Sequence, residues 1–163
     1  MPTAIGQELV ALLPRLRRFA LVLCRSQSLA DDLVQGACER ALANAGSWTP
    51  GTRFDAWMFR ILHNHWIDHL RRMRTEGMTE DVSLQRQLIG DPGEEPILNR
   101  LVLSEVQRAI ESLPQEQREV LLLVCADELS YREAADILGV PIGTVMSRLA
   151  RARRRLMDMT AAA

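Results

Sequence analysis

The chain has 163 residues, 47% of them apolar, enough for one medium domain or two small ones and too apolar for global disorder. Its 20 basic residues are all arginine and stand against 21 acids, for a net charge of −1, so any affinity for nucleic acid must come from local segregation of charge. The longest apolar run, residues 120–126, is too short to span a bilayer, and the first ten residues lack the regions of a secretory signal, which predicts a cytoplasmic protein without membrane insertion.

Residues 7–25 place Leu9, Leu12, Leu13, Leu16, Phe19, Ala20 and Leu23 at helical spacing, with Pro14 expected to kink or split the segment. Ser28 is the expected cap of a second helix, with Asp31 and Asp32 in its first turn and Leu29, Leu33, Val34, Ala37, Cys38 and Ala41 on its apolar face. Residues 44–52 form a loop by their Gly, Pro and Asn content, and hold one aromatic, Trp48. A third helix follows over 53–73. Phe54, Trp57, Met58, Ile61 and Leu62 give its apolar side, with Trp57 read as core, and Arg71, Arg72 and Arg74 make its end basic.

His65 and His69 have the spacing to share a metal, but Trp66 stands where an HExxH motif needs its acid. These two and His63 are read as polar groups facing a partner. Cys24, Cys38 and Cys125 have no metal-binding spacing and are read as buried thiols. No metal and no cofactor is expected.

Residues 75–96 carry six acids and one arginine among glycines and prolines, the composition of a flexible acidic linker. A fourth helix is predicted over 97–112, with Leu98, Val102, Val106, Ala109 and Leu113 inward. A fifth runs from Pro114 to about Ala126, apolar all round at 120–124 as in a central core helix.

Residues 130–156 read as two helices joined by a tight turn. Ser130 and Glu133 form a capping box. Gly139 stands where positive φ is needed, and Pro141 blocks continuation. The second of these helices starts near Ile142 and packs with Val145, Leu149, Ala152 and Leu156. Its other face carries Thr144, Ser147, Arg148, Arg151, Arg154 and Arg155. Five arginines and no acid fall within 142–155. That is the pattern of a helix-turn-helix recognition helix, because a guanidinium fork can grip guanine O6 and N7 or a phosphate. The fold expected is all-α: a helical domain at 1–74, the linker at 75–96 and a helix-turn-helix domain at 97–160.

Three stretches resemble sigma-70-type RNA polymerase factors of the extracytoplasmic-function (ECF) group: residues 30–41, ADDLVQGACERA; residues 54–72, FDAWMFRILHNHWIDHLRR; and residues 113–156, from LPQEQREVLLL to PIGTVMSRLARARRRL. The resemblance implies a promoter-specificity subunit that binds core RNA polymerase (β′ and β subunits) and promoter DNA, with an anti-sigma factor as a further partner. It places Asp32, Gln35 and Arg40 on the helix that docks the β′ coiled coil. Trp48 and Asn64 match positions around a base flipped from the −10 element, and Arg60, Arg71 and Arg72 match phosphate contacts. In the −35 element Ser147 and Arg151 match base-side positions, Arg148 and Arg154 lie nearer phosphates, and Thr144 and Met146 belong to the same DNA-binding set. The chain departs from the family pattern at Gly36, usually an acid; at Cys38, commonly an aromatic; and at Met146, frequently basic. No constellation of an enzyme is present in the sequence. Two other readings stay open: a sigma-like mimic that binds an anti-sigma factor without touching DNA, and an ordinary helix-turn-helix repressor.

Overall fold

The structure, a computed structural model, describes residues 4–76 and 105–161. Every regular element among them is helical, and the chain divides into two compact units.

The first unit holds α1 (Ala4–Cys24), α2 (Gln27–Ala43) and α3 (Phe54–Thr75). Leu16, Phe19, Leu33, Met58, Phe59 and Leu62 are fully buried between them. The Phe19 and Phe59 rings meet edge to face, 5.4 Å apart. Pro14 does not split α1, one of the two outcomes expected of it. It lies on the solvent side, and its cost of about 3 kcal/mol is offset by Leu9, Leu12, Leu16 and Phe19 on the buried side, about 1.5–3 kcal/mol each. Leu13, expected inward, is instead exposed.

The start of α2 also departs from expectation. Arg25 takes a left-handed φ of 58°, which ends α1. Ser26, not Ser28, is then extended, and its side chain accepts the Leu29 N–H at 3.3 Å. Asp31 and Asp32 therefore lie beyond the first turn, and Asp31 pairs with Arg17 of α1 at 2.9 Å. Helix α3 runs through Thr75, so that residue is not linker. The predicted linker from 77 onward, and residues 97–104 of the predicted fourth helix, lie outside the described residues.

The second unit holds α4 (105–111), α5 (Gln115–Leu121), a π turn at Leu122–Ala126, α6 (Tyr131–Leu138) and α7 (Ile142–Ala161). Pro114 caps α5 rather than starting it. Of residues 120–124, only Val120 and Leu123 are fully buried; Leu121, Leu122 and Val124 are half-buried, so α5 has a sided environment and not an all-round one. Cys24 is buried as expected, but Cys38 is half-buried and Cys125 is exposed at the rim of the π turn. Glu128, at φ 56°, turns the chain towards α6.

The turn between α6 and α7 follows local rules throughout. Glu133 N–H donates to Ser130 Oγ at 3.0 Å, and Ser130 N–H donates to the Glu133 carboxylate at 2.9 Å. Gly139 has φ 67°. Val140 N–H closes on the Ala135 carbonyl at 3.1 Å, and the Pro141 carbonyl accepts from Thr144 at 3.0 Å to open α7.

Candidate nucleic-acid interface

On α3, residues 57, 60, 64, 68 and 71 recur at helical spacing along one side. Arg60, Asn64, Arg71 and Arg72 are exposed. Asn64 opens onto a pocket of about 210 Å³ lined by Arg40, Asn44, Ser47, Trp57 and Ile61. The end of α2 builds its far wall: Asn44 Nδ2 donates to the Arg40 carbonyl at 2.9 Å, and Ser47 Oγ donates to the Asn44 carbonyl at 2.7 Å. Arg40 is held across the gap by Asp68 at 2.9 Å. Its guanidinium is thus engaged within the unit, whereas Asp32 and Gln35 are exposed on α2.

Trp48 and Trp57 are both half-buried, and only Trp57 departs from the sequence reading. Trp57, expected in the core, is half-buried and lines the Asn64 pocket. Trp48 stands edge-on to Phe54 at 5.3 Å, with its indole N–H buried and without a hydrogen-bond partner. Phe54 links the two rings, 5.7 Å from Trp57. Sequence spacing cannot separate a helix flank that packs from one that borders a pocket, because the wall opposite Trp57 comes from a different helix.

The histidines of α3 also differ from expectation. His63 is buried, which pushes its pKa below the usual imidazole range. His69 stacks on Trp66 at 5.8 Å. His65 lies against α2, where its Nε2 sits 2.3 Å from the place a Cβ on Gly36 would take. Burial, then the charges of Arg40 and Arg72, lowers its pKa. Asp55, near the start of α3, is pushed up by burial, but hydrogen bonds from Arg53 and Arg15 outweigh this and hold it below the usual carboxylate range.

In the second unit, Val145, Leu149 and Ala152 bury one side of α7. Arg151, Arg154 and Arg155 are exposed on the rest of its surface. Ser147 is exposed, and its hydroxyl donates to the Gly143 carbonyl at 3.0 Å, leaving its oxygen to accept. Thr144 and Arg148 are half-buried. The Arg148 guanidinium faces α5, 3.8 Å from the Glu116 carboxylate. Beside them Glu119 is pushed up to about 7 by burial, against the opposing pull of a Gln115 hydrogen bond and the Arg148 charge. Met146 and Ile142 are exposed; the latter escaped the sequence reading, which took it only as the helix start.

The sequence pattern of sigma-70 region 2 matches residues 9–76, and that of sigma-70 region 4 matches residues 103–156. The chain is 40% identical over 153 residues to the ECF RNA polymerase sigma factor EcfG of Rhodopseudomonas palustris, spanning 94% of this chain and 83% of that one. The chain belongs to the ECF sigma factors. Its α2–α3 pocket therefore lies in region 2 of an ECF sigma factor and its α7 in region 4. Among solved structures it is similar to the sigma factor RpoE from Bartonella quintana in complex with the anti-sigma factor NepR, with a TM-score of 0.74, 35% identity and 95% of each chain covered. The anti-anti-sigma factor PhyR from the same organism, also solved with NepR, shares the fold alone: TM-score 0.54, 17% identity, 95% of this chain and 50% of that one.

Proposed function

We propose that this ECF sigma factor binds core RNA polymerase in the cytoplasm and directs initiation by reading both promoter elements, with no bond-making step of its own. The observation that carries the reading is the surface of α7: one side packed by Val145, Leu149 and Ala152, the other presenting Arg151, Arg154 and Arg155. Such a helix enters the major groove of the −35 element with Arg151 and Ser147 towards bases and Arg154 towards a phosphate. Thr144 and Met146 complete the contact surface. Arg148, facing Glu116, serves the DNA backbone from the flank.

In region 2, the Asn64 pocket takes the base extruded from the −10 element. Trp57 supplies the apolar wall, and the amide hydrogen-bonds the base edge. Trp48 supports that wall through Phe54. Arg60, Arg71 and Arg72 hold phosphates along the same helix. Asp32 and Gln35 meet the β′ coiled coil, with Arg40 fixed beside them by Asp68. The likeness to RpoE in its NepR complex supports an anti-sigma factor as the regulatory partner. The shared fold with PhyR favours, as a second reading, a mimic that binds an anti-sigma factor without DNA.

The test is promoter-dependent transcription with purified core polymerase, comparing the parent and Arg151→Ala on a set of −35 variants at fixed salt. Arg151 is exposed, so the variant should fold. As a base reader it should lose about 1–3 kcal/mol of discrimination at one position. A uniform loss across sequences moves it to the backbone class. No transcription by the folded parent leaves the mimic.

A further inference from the structure

Two large apolar side chains stand exposed where α7 begins. Ile142 is 45% exposed and Met146 50% exposed, and they lie four residues apart, one above the other on the same flank. Single exposed apolar residues are ordinary on a protein surface. This pair differs by its place, on the first two turns of α7, the part of a recognition helix that reaches base edges. Every basic residue of α7 lies further along, from Arg148 onward.

Gly143, between them, provides a second observation. Its φ is not positive, and a Cβ built on it meets nothing within 4 Å inside the protein. Neither backbone conformation nor internal packing requires a glycine there. A missing side chain in the first turn leaves room for an external surface to approach the backbone.

An aliphatic and a thioether side chain have nothing to offer a phosphate. On the base edges of the major groove the apolar group available to them is the C5 methyl of thymine. The basic surface that continues along α7 fixes the occupant as DNA by charge. We propose that Ile142 and Met146 read the C5 methyl of a thymine in the −35 element, with Gly143 permitting the close approach. This rests on α7 being the −35 reading helix. It makes Met146, which stands where the family frequently has a basic residue, a specificity determinant rather than a lost contact.

Deoxyuridine differs from thymidine at that methyl alone. Holoenzyme assembled from this chain and core polymerase is titrated with duplex promoter in which each −35 thymine, on either strand, is replaced singly by deoxyuridine at fixed salt. The parent should bind about fourfold more weakly at one or two positions, the effect of losing one buried methyl. Met146→Ala and Met146→Gln should each reduce the difference between thymine and deoxyuridine at those positions. Arg151→Ala should keep the methyl effect while losing affinity overall.

Equal binding of thymine and deoxyuridine by the parent, with −35 sequence preference otherwise intact, would overturn the methyl reading and leave the role of α7 standing. Absence of any −35 preference in the parent would remove the role of α7 itself. Weaker assembly of Met146→Ala with core polymerase, with the methyl effect retained, would assign the pair to a polymerase surface and equally overturn the proposal.

Discussion

Gly36→Ala should destabilise the first unit, although alanine is the better helix former by about 1 kcal/mol. The reason is steric. A Cβ on residue 36 would lie 2.3 Å from His65 Nε2 and 3.0 Å from Cδ2 and Cε1 of the same ring. An ordinary contact needs about 3.5 Å, so the ring must retreat by roughly 1 Å. It has little freedom to do so, because His65 is half-buried, its Nδ1 is buried, and Arg40 beside it is tied to Asp68. Overpacking of this kind costs about 1–3 kcal/mol, which outweighs the propensity gain over most of that range. In a His65→Ala background the clash vanishes and the same substitution should stabilise by up to about 1 kcal/mol. The coupling between the two sites is therefore about 1–3 kcal/mol. All three tryptophans lie within residues 48–66, so urea unfolding followed by their fluorescence reports on the first unit selectively. Equal stabilisation by Gly36→Ala in both backgrounds would refute the fit of ring against glycine. The departure from an acid at this position is then a matter of helix packing: the space the acid's own Cβ needs is filled by a histidine ring.

Two further outcomes concern single sites, and a third concerns the acidic segment. Asn64→Ala should impair opening of a duplex promoter by about 1–3 kcal/mol and leave initial duplex binding nearly unchanged; equal activity of variant and parent on duplex and pre-melted templates would remove Asn64 from base reading. Glu119 has its folded-state pKa raised to about 7 from 4.5, so stability of the second unit is fully present below pH 4.5 and is lost as pH rises through 7, by up to about 3 kcal/mol. Glu119→Gln should flatten that slope between pH 5 and 8 in denaturation followed by circular dichroism, and a slope identical to the parent's would refute the assignment. Neutralising Glu76, Glu80, Asp81, Glu94 and Glu95 together should weaken core binding or alter abortive synthesis, since an acidic segment suits the basic RNA path of polymerase; unchanged affinity and abortive products would reduce it to a tether.

The parts of this chain legible from sequence are those ruled by near neighbours. Ser130, Glu133 and Gly139 act on backbone groups within a few residues, so a capping box and a left-handed turn can be read directly, and both are present. The buried line of α7 follows from helical spacing alone. What the spacing misses depends on a second helix. Trp57 borders a pocket and not the core because the wall opposite it comes from the end of α2. Ser26 displaces Ser28 because the left-handed Arg25 ends α1 and lets α2 begin two residues earlier than the cap pattern suggests. Pro14 is tolerated because residues on the opposite side of α1 are packed. Gly36 and His65 are thirty positions apart and make sense only together.

The arginines of α7 bear on how tightly that helix could hold DNA by itself. Of the five, Arg148 faces Glu116, and Arg153 lies 4.0 Å from Cys125 Sγ. Arg151, Arg154 and Arg155 are exposed and make no ion pair or hydrogen bond among the described residues. Even with all three on phosphates the salt slope would be only about −2.7, a loss of some fortyfold in affinity between 50 and 200 mM salt. A repressor that works alone shows a slope of about −10. The electrostatic grip available to α7 is therefore small. On the proposed function, tight binding then requires phosphate contacts from elsewhere, with Arg60, Arg71 and Arg72 of the first unit and polymerase as the proposed sources. A net charge of −1 is consistent with that arrangement. On the proposed function, the free chain should hold DNA weakly, and the holoenzyme should add the grip that lets a few exposed side chains choose the promoter.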